Sequence, residues 1–180
     1  MQSNQAIAET DLIQGCLQND RRYQKELYDR FSGKMYAVCL RYMGNADDAQ
    51  DVLQDGFVKV FKNLDRFRGE GSFEGWIRRI FVNTAIEQLR KKRPDQSLSE
   101  KEERIEMPAV GAVDRLSEKD LLQLISELSP GYRSVFNLYV IEGMGHKEIA
   151  ELLNISEGTS KSQLARARMI LQHKVNKLHA

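Results

Sequence analysis

Residues 146–168 read HKEIAELLNISEGTSKSQLARAR, and the way this stretch divides decides the fold. Ile149, Ala150 and Leu153 recur at helical spacing, and the small Ala150 lets a second helix cross closely. Asn154-Ile155-Ser156 is a turn ending in a serine cap, with Ile155 placed to plug the space between the helices. A short helix, a capped turn and a long helix to the C-terminus is the plan of a helix-turn-helix. At about 100° per residue, Ser160, Leu164, Ala167, Leu171, Val175 and Leu178 share the inner side of the long helix. Gly158, Thr159, Lys161, Ser162, Ala165, Arg166 and Met169 fall on the outer arc. After Glu157 come Lys161, Arg166, Arg168, Lys174 and Lys177, with no acid among them. Small residues, hydroxyls and cations on one face can enter a major groove and bond phosphates and base edges. The five cations alone would suit a surface helix complementing its own C-terminal dipole equally well. Joined to the short helix and capped turn, they favour DNA.

Working outward, Ser129-Pro130 is a cap followed by proline at the first helical position, and that helix runs to about Glu142 before Gly143 and Gly145 break it. Another helix opens at Ser117, with Asp120 at its third position. Residues 94–117 (PDQSLSEKEERIEMPAVGAVDRLS) hold two of the three prolines, are acidic and polar, and lack a sustained apolar period. They read as a flexible tether. The expected architecture is all-α: two small helical domains, an N-terminal bundle over 1–93 and a C-terminal helix-turn-helix domain over 118–180, joined by the linker 94–117. The bundle reads as four helices. Thr10 caps one to about Leu17, and a second runs from about Arg21 to Met43 with Leu27, Phe31, Met35, Val38 and Tyr42 on one stripe. Gly44 stops it and Asn45 caps a third, whose Ala49, Val52, Leu53, Gly56, Phe57, Val60, Phe61 and Leu64 give the cleanest helical period in the chain. Ser72 caps a fourth, from Phe73 to about Lys92.

The chain of 180 residues carries 27 Lys+Arg and 26 Asp+Glu, so net charge says little about partners and local clustering must decide. No stretch approaches the roughly 18 apolar residues of a membrane span, and the N-terminus lacks the basic start and apolar run of a secretory signal. Direct membrane insertion is not expected. Cys16 and Cys39 sit among helical-period apolar residues and read as buried free thiols of a cytoplasmic protein.

Outside the apolar face of the third helix lies a stripe of Asp47, Asp51, Gln54, Asp55 and Val58. It reads as carboxylates holding a hard cation, which nothing supports, as a solvated acidic face, which is the commoner outcome, or as a docking surface, which Val58 beside the acids suggests. No histidine lies near it, and His146, His173 and His179 are scattered. Neither a metal site, a cofactor site nor a catalytic set is expected. The fourth helix carries Arg78 and Arg79 and ends in Arg90, Lys91, Lys92 and Arg93, a run longer than a helix dipole needs and suited to phosphate. The preceding loop, Arg66-Phe67-Arg68-Gly69-Glu70-Gly71-Ser72-Phe73, lacks the lysine and hydroxyl of a P-loop. Its cations interleaved with Phe67, Phe73 and, beyond it, Trp76 suit unstacked single-stranded bases. For Trp76 a place in the core is an equal alternative.

These residues together resemble a known family. Asp48-Ala-Gln-Asp-Val-Leu-Gln-Asp-Gly-Phe57, Phe73-Glu-Gly-Trp-Ile-Arg-Arg-Ile80, Asn83 and Arg90 to Arg93 are similar to the second conserved domain of bacterial sigma factors. Leu128-Ser-Pro-Gly-Tyr-Arg133, Gly145-His-Lys-Glu-Ile-Ala150 and Glu157-Gly-Thr-Ser-Lys-Ser162 through Arg166-Ala-Arg168 resemble the fourth. Two such domains with only a short linker between them resemble the extracytoplasmic-function (ECF) class. The resemblance implies a transcription initiation factor, not an enzyme, that binds core RNA polymerase and promoter DNA and is restrained by an anti-sigma factor. It implies polymerase docking at Asp51, Gln54 and Asp55, with Val58 beside them. It implies minus-ten recognition and melting by Phe67, Arg68, Ser72, Phe73, Trp76, Arg79 and Asn83, with the basic run Arg90 to Arg93 on phosphate. It implies minus-thirty-five recognition by Thr159, Lys161, Ser162, Gln163 and Arg166. Ser160 stands where the family usually has valine, and Gln163 often corresponds to arginine. Two rivals differ in class: a helix-turn-helix regulator with an N-terminal sensing domain, which leaves the basic run and aromatic loop unused, and a metal-dependent hydrolase built on Asp47, Asp51 and Asp55.

Overall fold

A computed structural model describes residues 7–92 and 118–178. The linker read over 94–117, the cap expected at Ser117 and the cation Arg93 lie outside the described residues. The first module comprises α1 (Glu9–Leu17), α2 (Arg21–Met43), α3 (Ala46–Lys62), a 3-10 turn (Leu64–Arg66) and α4 (Phe73–Lys92). The second comprises α5 (Glu118–Ser126), α6 (Pro130–Phe136) running into a π-helical turn (Asn137–Ile141), α7 (His146–Leu153) and α8 (Glu157–Leu178). Among the described residues no helix is long and apolar enough to cross a membrane.

Local chemistry sets the helix ends. Gly44 closes α2 in the left-handed region at φ 77°, donating to the Leu40 carbonyl. The Asn45 side chain then accepts from the Asp48 amide to open α3, with Asp47 and Asp48 at the positive end of its dipole. Ser72 Oγ accepts from the Gly75 amide at the start of α4. α1 begins two residues earlier than a Thr10 cap would set it, and its N-cap Ala8 offers no side-chain bond. Ser129 likewise makes no side-chain cap bond, so the fixed φ of Pro130 opens α6 without it.

The buried stripes of α2, α3 and α4 meet in one core. Leu27, Phe31, Met35, Val38 and Tyr42 from α2 pack with Val52, Phe57 and Val60 from α3 and Ile77, Phe81 and Ile86 from α4. Phe57 and Phe81 meet edge to face at 5.1 Å, and Gly56 makes room: a Cβ there would lie 2.2 Å from the Phe81 ring. Cys16 and Cys39 are buried and unbridged. Burial pushes their thiols up to about 11 and about 12, so both stay protonated at neutral pH.

In the second module Leu124, Ile125, Leu128, Tyr132, Ala167, Leu171 and Val175 form a separate cluster. Val135, Leu138, Ile149, Leu153 and Leu164 instead join the core of the first module, so the two modules pack together. Polar contacts organise the join. The helix read to Glu142 does not remain α-helical: over Asn137–Ile141 it widens to a π turn, with Glu142 N donating to the Asn137 carbonyl. Beside this turn Arg133 and Asn137, both buried, face the C-terminal end of α2. Arg133 Nε donates to the Tyr42 carbonyl at 2.9 Å and an NH2 of the same guanidinium donates to Met43 O at 3.0 Å. Asn137 Nδ2 donates to Arg41 O at 3.0 Å. With Gly44 on Leu40, all four last carbonyls of α2 are satisfied.

Glycine substitutions separate packing from backbone effects. Gly56→Ala should destabilise the protein by about 1–3 kcal/mol through overpacking against Phe81. Gly33→Ala, in the interior of α2 with nothing within 4 Å of the new Cβ, should stabilise it by about 0.5–1 kcal/mol. Urea unfolding followed by circular dichroism checks both.

Candidate nucleic-acid interface

The C-terminal motif is assembled as its spacing requires. Asn154 takes the left-handed conformation at φ 55° between α7 and α8, and Ser156 Oγ accepts from the Thr159 amide at 2.9 Å to open α8. Ile149, Ala150 and Leu153 pack inward, and Ile155 is partly buried against the core. Ser160, the inner-face residue that resists an apolar reading, is fully buried and bonds His146 Nδ1 at 2.9 Å. The His146 ring stacks on Tyr139 at 4.7 Å, and the Arg168 guanidinium lies 5.7 Å from the Tyr139 ring centroid. A hydroxyl–imidazole pair thus locks the start of α7 to α8.

On the outer arc of α8, Lys161, Ser162 and Ala165 are exposed, and Thr159 and Arg166 are half-buried. These four polar side chains share a face that can lie along a groove. Gln163 does not join them. It is 3% exposed, one turn from Ser160 and next to Leu164 on the inner stripe. Its spacing from Ser160, i to i+3, is that of neighbours on one side of α8.

The aromatic loop divides in the same way. Phe73 is fully buried, edge to face with Phe31 at 5.7 Å, and so belongs to the core. Trp76 stacks on Phe73 at 6.0 Å and 12° and is half-buried. Phe67, also half-buried, lies 5.0 Å from Phe73 and 5.6 Å from Trp76. The rings form one cluster whose inner member is core and whose outer two keep open surface. Around it Arg68, Ser72, Arg79 and Asn83 are exposed. At 100° per residue Trp76, Arg79 and Asn83 share a face of α4, and Arg78 points to the opposite one.

Along the end of α4, Arg90 and Lys91 are exposed. Lys92 pairs with Asp48 at the start of α3. The Asn45 amide and then Lys92 hold the Asp48 carboxyl below the usual carboxylate range. On α3 Asp51, Gln54, Asp55 and Val58 are all exposed, with Val58 at 50%. Among the described residues no group of three His, Cys, Asp or Glu side chains converges as metal ligands would.

The geometry therefore leaves exposed cations and hydroxyls on each module, and on α3 an acidic stripe that includes Val58. Comparison with known proteins gives them a context. Residues 27–94 match the family model of sigma-70 region 2, and residues 118–171 that of sigma-70 region 4. The chain is 30% identical over 166 residues to the ECF RNA polymerase sigma factor SigW of Bacillus subtilis, covering 85% of this chain and 89% of that protein.

The chain belongs to the ECF RNA polymerase sigma factors.

It is also 28% identical over 188 residues to the ECF RNA polymerase sigma-E factor of Escherichia coli, covering 97% of this chain and 98% of that one. A chain from the co-crystal structure of the sigma factor RpoE with the anti-sigma factor NepR of Bartonella quintana shares the fold, with a TM-score of 0.52 and 24% identity over 87% of this chain and 98% of that one. As a sigma factor the protein directs RNA polymerase to promoters for transcription initiation. Region 2 contains α3, the aromatic loop and α4; region 4 contains the helix-turn-helix.

The residues that join the modules, Arg133, Asn137 and Glu142, escaped the functional reading of the sequence. One signal was present: Arg133 and Asn137 are polar residues four apart in the apolar run Tyr132–Leu138, which marks buried groups in need of partners.

The Asp48 contact has a measurable consequence. A carboxyl held below its unfolded value adds stability above that value, and the contribution is lost as pH falls through the folded one. Asp48→Asn should therefore flatten the acid limb of stability as pH falls through and below the usual carboxylate range. Urea midpoints measured across that range for both proteins check it.

Proposed function

We propose that this sigma factor works by binding and strand capture and carries no catalytic set of its own. The exposed stripe Asp51, Gln54, Asp55 and Val58 docks core RNA polymerase: its acids supply charge complementarity, and Val58 is a half-exposed apolar contact beside them. Around the outer rings Phe67 and Trp76, the exposed Arg68, Ser72, Arg79 and Asn83 hold the minus-ten element. An extruded base stacks on the open ring surface, which offsets an unstacking cost of a few kcal/mol. Phe73 supports this platform from within the core. Arg90, Lys91 and Lys92, with Arg93 after them, neutralise phosphates, Lys92 exchanging Asp48 for the backbone.

On the second module Thr159, Lys161, Ser162 and Arg166 read the minus-thirty-five element in the major groove, and Gln163 shapes the helix that presents them. The functional units are residues 1–93 and 118–180, with 94–117 as the connection. The setting is the cytoplasm, where polymerase and promoter are found. By analogy with the complex of RpoE with NepR, an anti-sigma protein restrains this factor by covering the exposed docking faces. The single observation that carries the reading is that Arg68, Arg79, Arg90 and Lys91 of the first module, Lys161 and Ser162 of the second, and the stripe Asp51, Gln54, Asp55 and Val58 are all exposed.

Reconstitution tests it. Core polymerase with this protein should initiate at a subset of promoters in a genomic library, and initiation at none would overturn the reading. Arg166→Ala should weaken binding to the upstream element by about 1–3 kcal/mol and relax specificity there. Arg90→Ala with Lys91→Ala should weaken binding to all sequences alike and lower the salt slope by about 2. Competition binding at several salt concentrations separates the two effects.

A further inference from the structure

The loop assigned above to strand capture is fixed at both ends and open in the middle. At its far end Ser72 Oγ accepts from the Gly75 amide, and Phe73 is fully buried. At its near end the 3-10 turn Leu64–Arg66 leads straight into Phe67, whose amide donates to the Leu64 carbonyl at 3.2 Å. Between these ends Gly69 and Gly71 take φ of 75° and 86°, and a Cβ on either would meet nothing within 4 Å. Glycine backbone with no neighbours does not hold one shape unaided. The position of Phe67 therefore depends on what holds Leu64.

Leu64 is 2% exposed and shares one buried cluster with Leu12 (0%) and Cys16 (4%) of α1. α1 packs against α2 and against the 3-10 turn itself. It has only nine residues and no side-chain cap, whereas isolated helices shorter than roughly 12–15 residues are marginal in water. Docking is what keeps it helical. Two contacts seat it on α2. Gly15 approaches so closely that a Cβ there would lie 2.2 Å from the Tyr23 ring, and Arg30 Nη2 donates to Ile7 O at 2.9 Å. α1 lies ahead of residues 27–94, the part matched to region 2, and no docking or DNA contact proposed above falls on it.

We propose that α1 braces the strand-capture loop, with Leu12 as the positioning residue that acts through Leu64 to hold Phe67 beside Trp76. The proposal rests on the reading of Phe67 and Trp76 as the minus-ten platform. The path is short: buried side chains from α1 to Leu64, one backbone bond from Leu64 to Phe67, then a ring contact of 5.6 Å to Trp76. The brace acts before DNA arrives. It keeps the two outer rings assembled, so an incoming base does not also have to order the loop. A loop that is competent for only a fraction of the time binds more weakly by that fraction.

Trp76 is the single tryptophan of the chain, so its fluorescence reads the loop in the full-length protein. In Leu12→Ala the brace loosens and Phe67 moves off the Trp76 ring. Acrylamide should then quench Trp76 about twofold more strongly than in wild type, as expected of a locally opened segment. Leu12→Met conserves volume and should restore the wild-type quenching. Gly15→Ala drives α1 off Tyr23 without opening a cavity and should increase quenching as Leu12→Ala does. If Leu12→Ala loses its helical circular dichroism, Gly15→Ala decides.

Reconstitution with core polymerase supplies the functional arm, on a promoter recovered from the genomic library. Leu12→Ala should initiate about tenfold less than wild type, as for a loop competent about a tenth of the time. With the minus-ten segment already mismatched, unpairing is supplied in advance and the deficit should shrink to about threefold or less. Affinity for core polymerase should be unchanged, since the acidic stripe lies on α3. Leu12→Met should initiate as wild type does. Unchanged quenching in the two destabilised variants overturns the proposal. So does a deficit that is equal on paired and mismatched templates, or one matched by lost polymerase binding. If wild-type protein initiates nowhere, the minus-ten reading fails, while the quenching still decides whether α1 holds the loop.

Discussion

The end of α2 is the constraint around which the rest of the structure is arranged. A helix leaves its last four carbonyls without internal donors, and the end of α2 lies inside the protein, where water cannot serve them all. Gly44 supplies one donor by turning left-handed, and Arg133 and Asn137, from the other module, supply the rest. A cation at the negative end of a helix dipole adds favourable electrostatics, and hydrogen bonds to a charged donor are worth about 1.5–3 kcal/mol. Satisfying the helix end therefore brings the C-terminal module to the bundle. The π turn at Asn137–Ile141 follows directly: widening the helix there accompanies the inward placement of Asn137 beside α2 and of Glu142 between Arg41 and Arg78.

The same rule, that a buried polar group must find its partner, shapes the helix-turn-helix. A serine on the inner face of α8 would be costly alone. Paired with His146 it becomes a tie between α7 and α8, and the stacked Tyr139 and the neighbouring Arg168 extend it to the π turn. The last helix, α8, is thus held by a polar network as well as by the Leu164, Ala167 and Leu171 packing. In the bundle the rings of Phe67, Phe73 and Trp76 show the complementary case, one cluster serving core and surface together. Phe73 fixes the position of the outer rings, and those rings present the aromatic area.

Much of this was legible in the residue order. Helix ends at Gly44, Asn45, Ser72 and Ser156 depend on atoms within three residues of the turn, so local sequence is enough to place them. The exposed character of Asp51, Asp55, Val58, Lys161 and Ser162 follows from helical period alone. The burial of Gln163 and Phe73 is less legible, because each lies at the border of an apolar stripe, where a rotation of a few tens of degrees decides between inside and outside.

Sequence by itself determined that the chain is helical, that it carries a helix-turn-helix at its C-terminus and a basic, aromatic-rich helix in its first half, because periodicity, caps and charge clusters are local properties of the chain. Only the tertiary structure decided that the two halves meet, and through which atoms. The donors that complete α2 stand some ninety residues away in the chain and are called in by backbone carbonyls, which every residue carries and which leave no mark in the sequence.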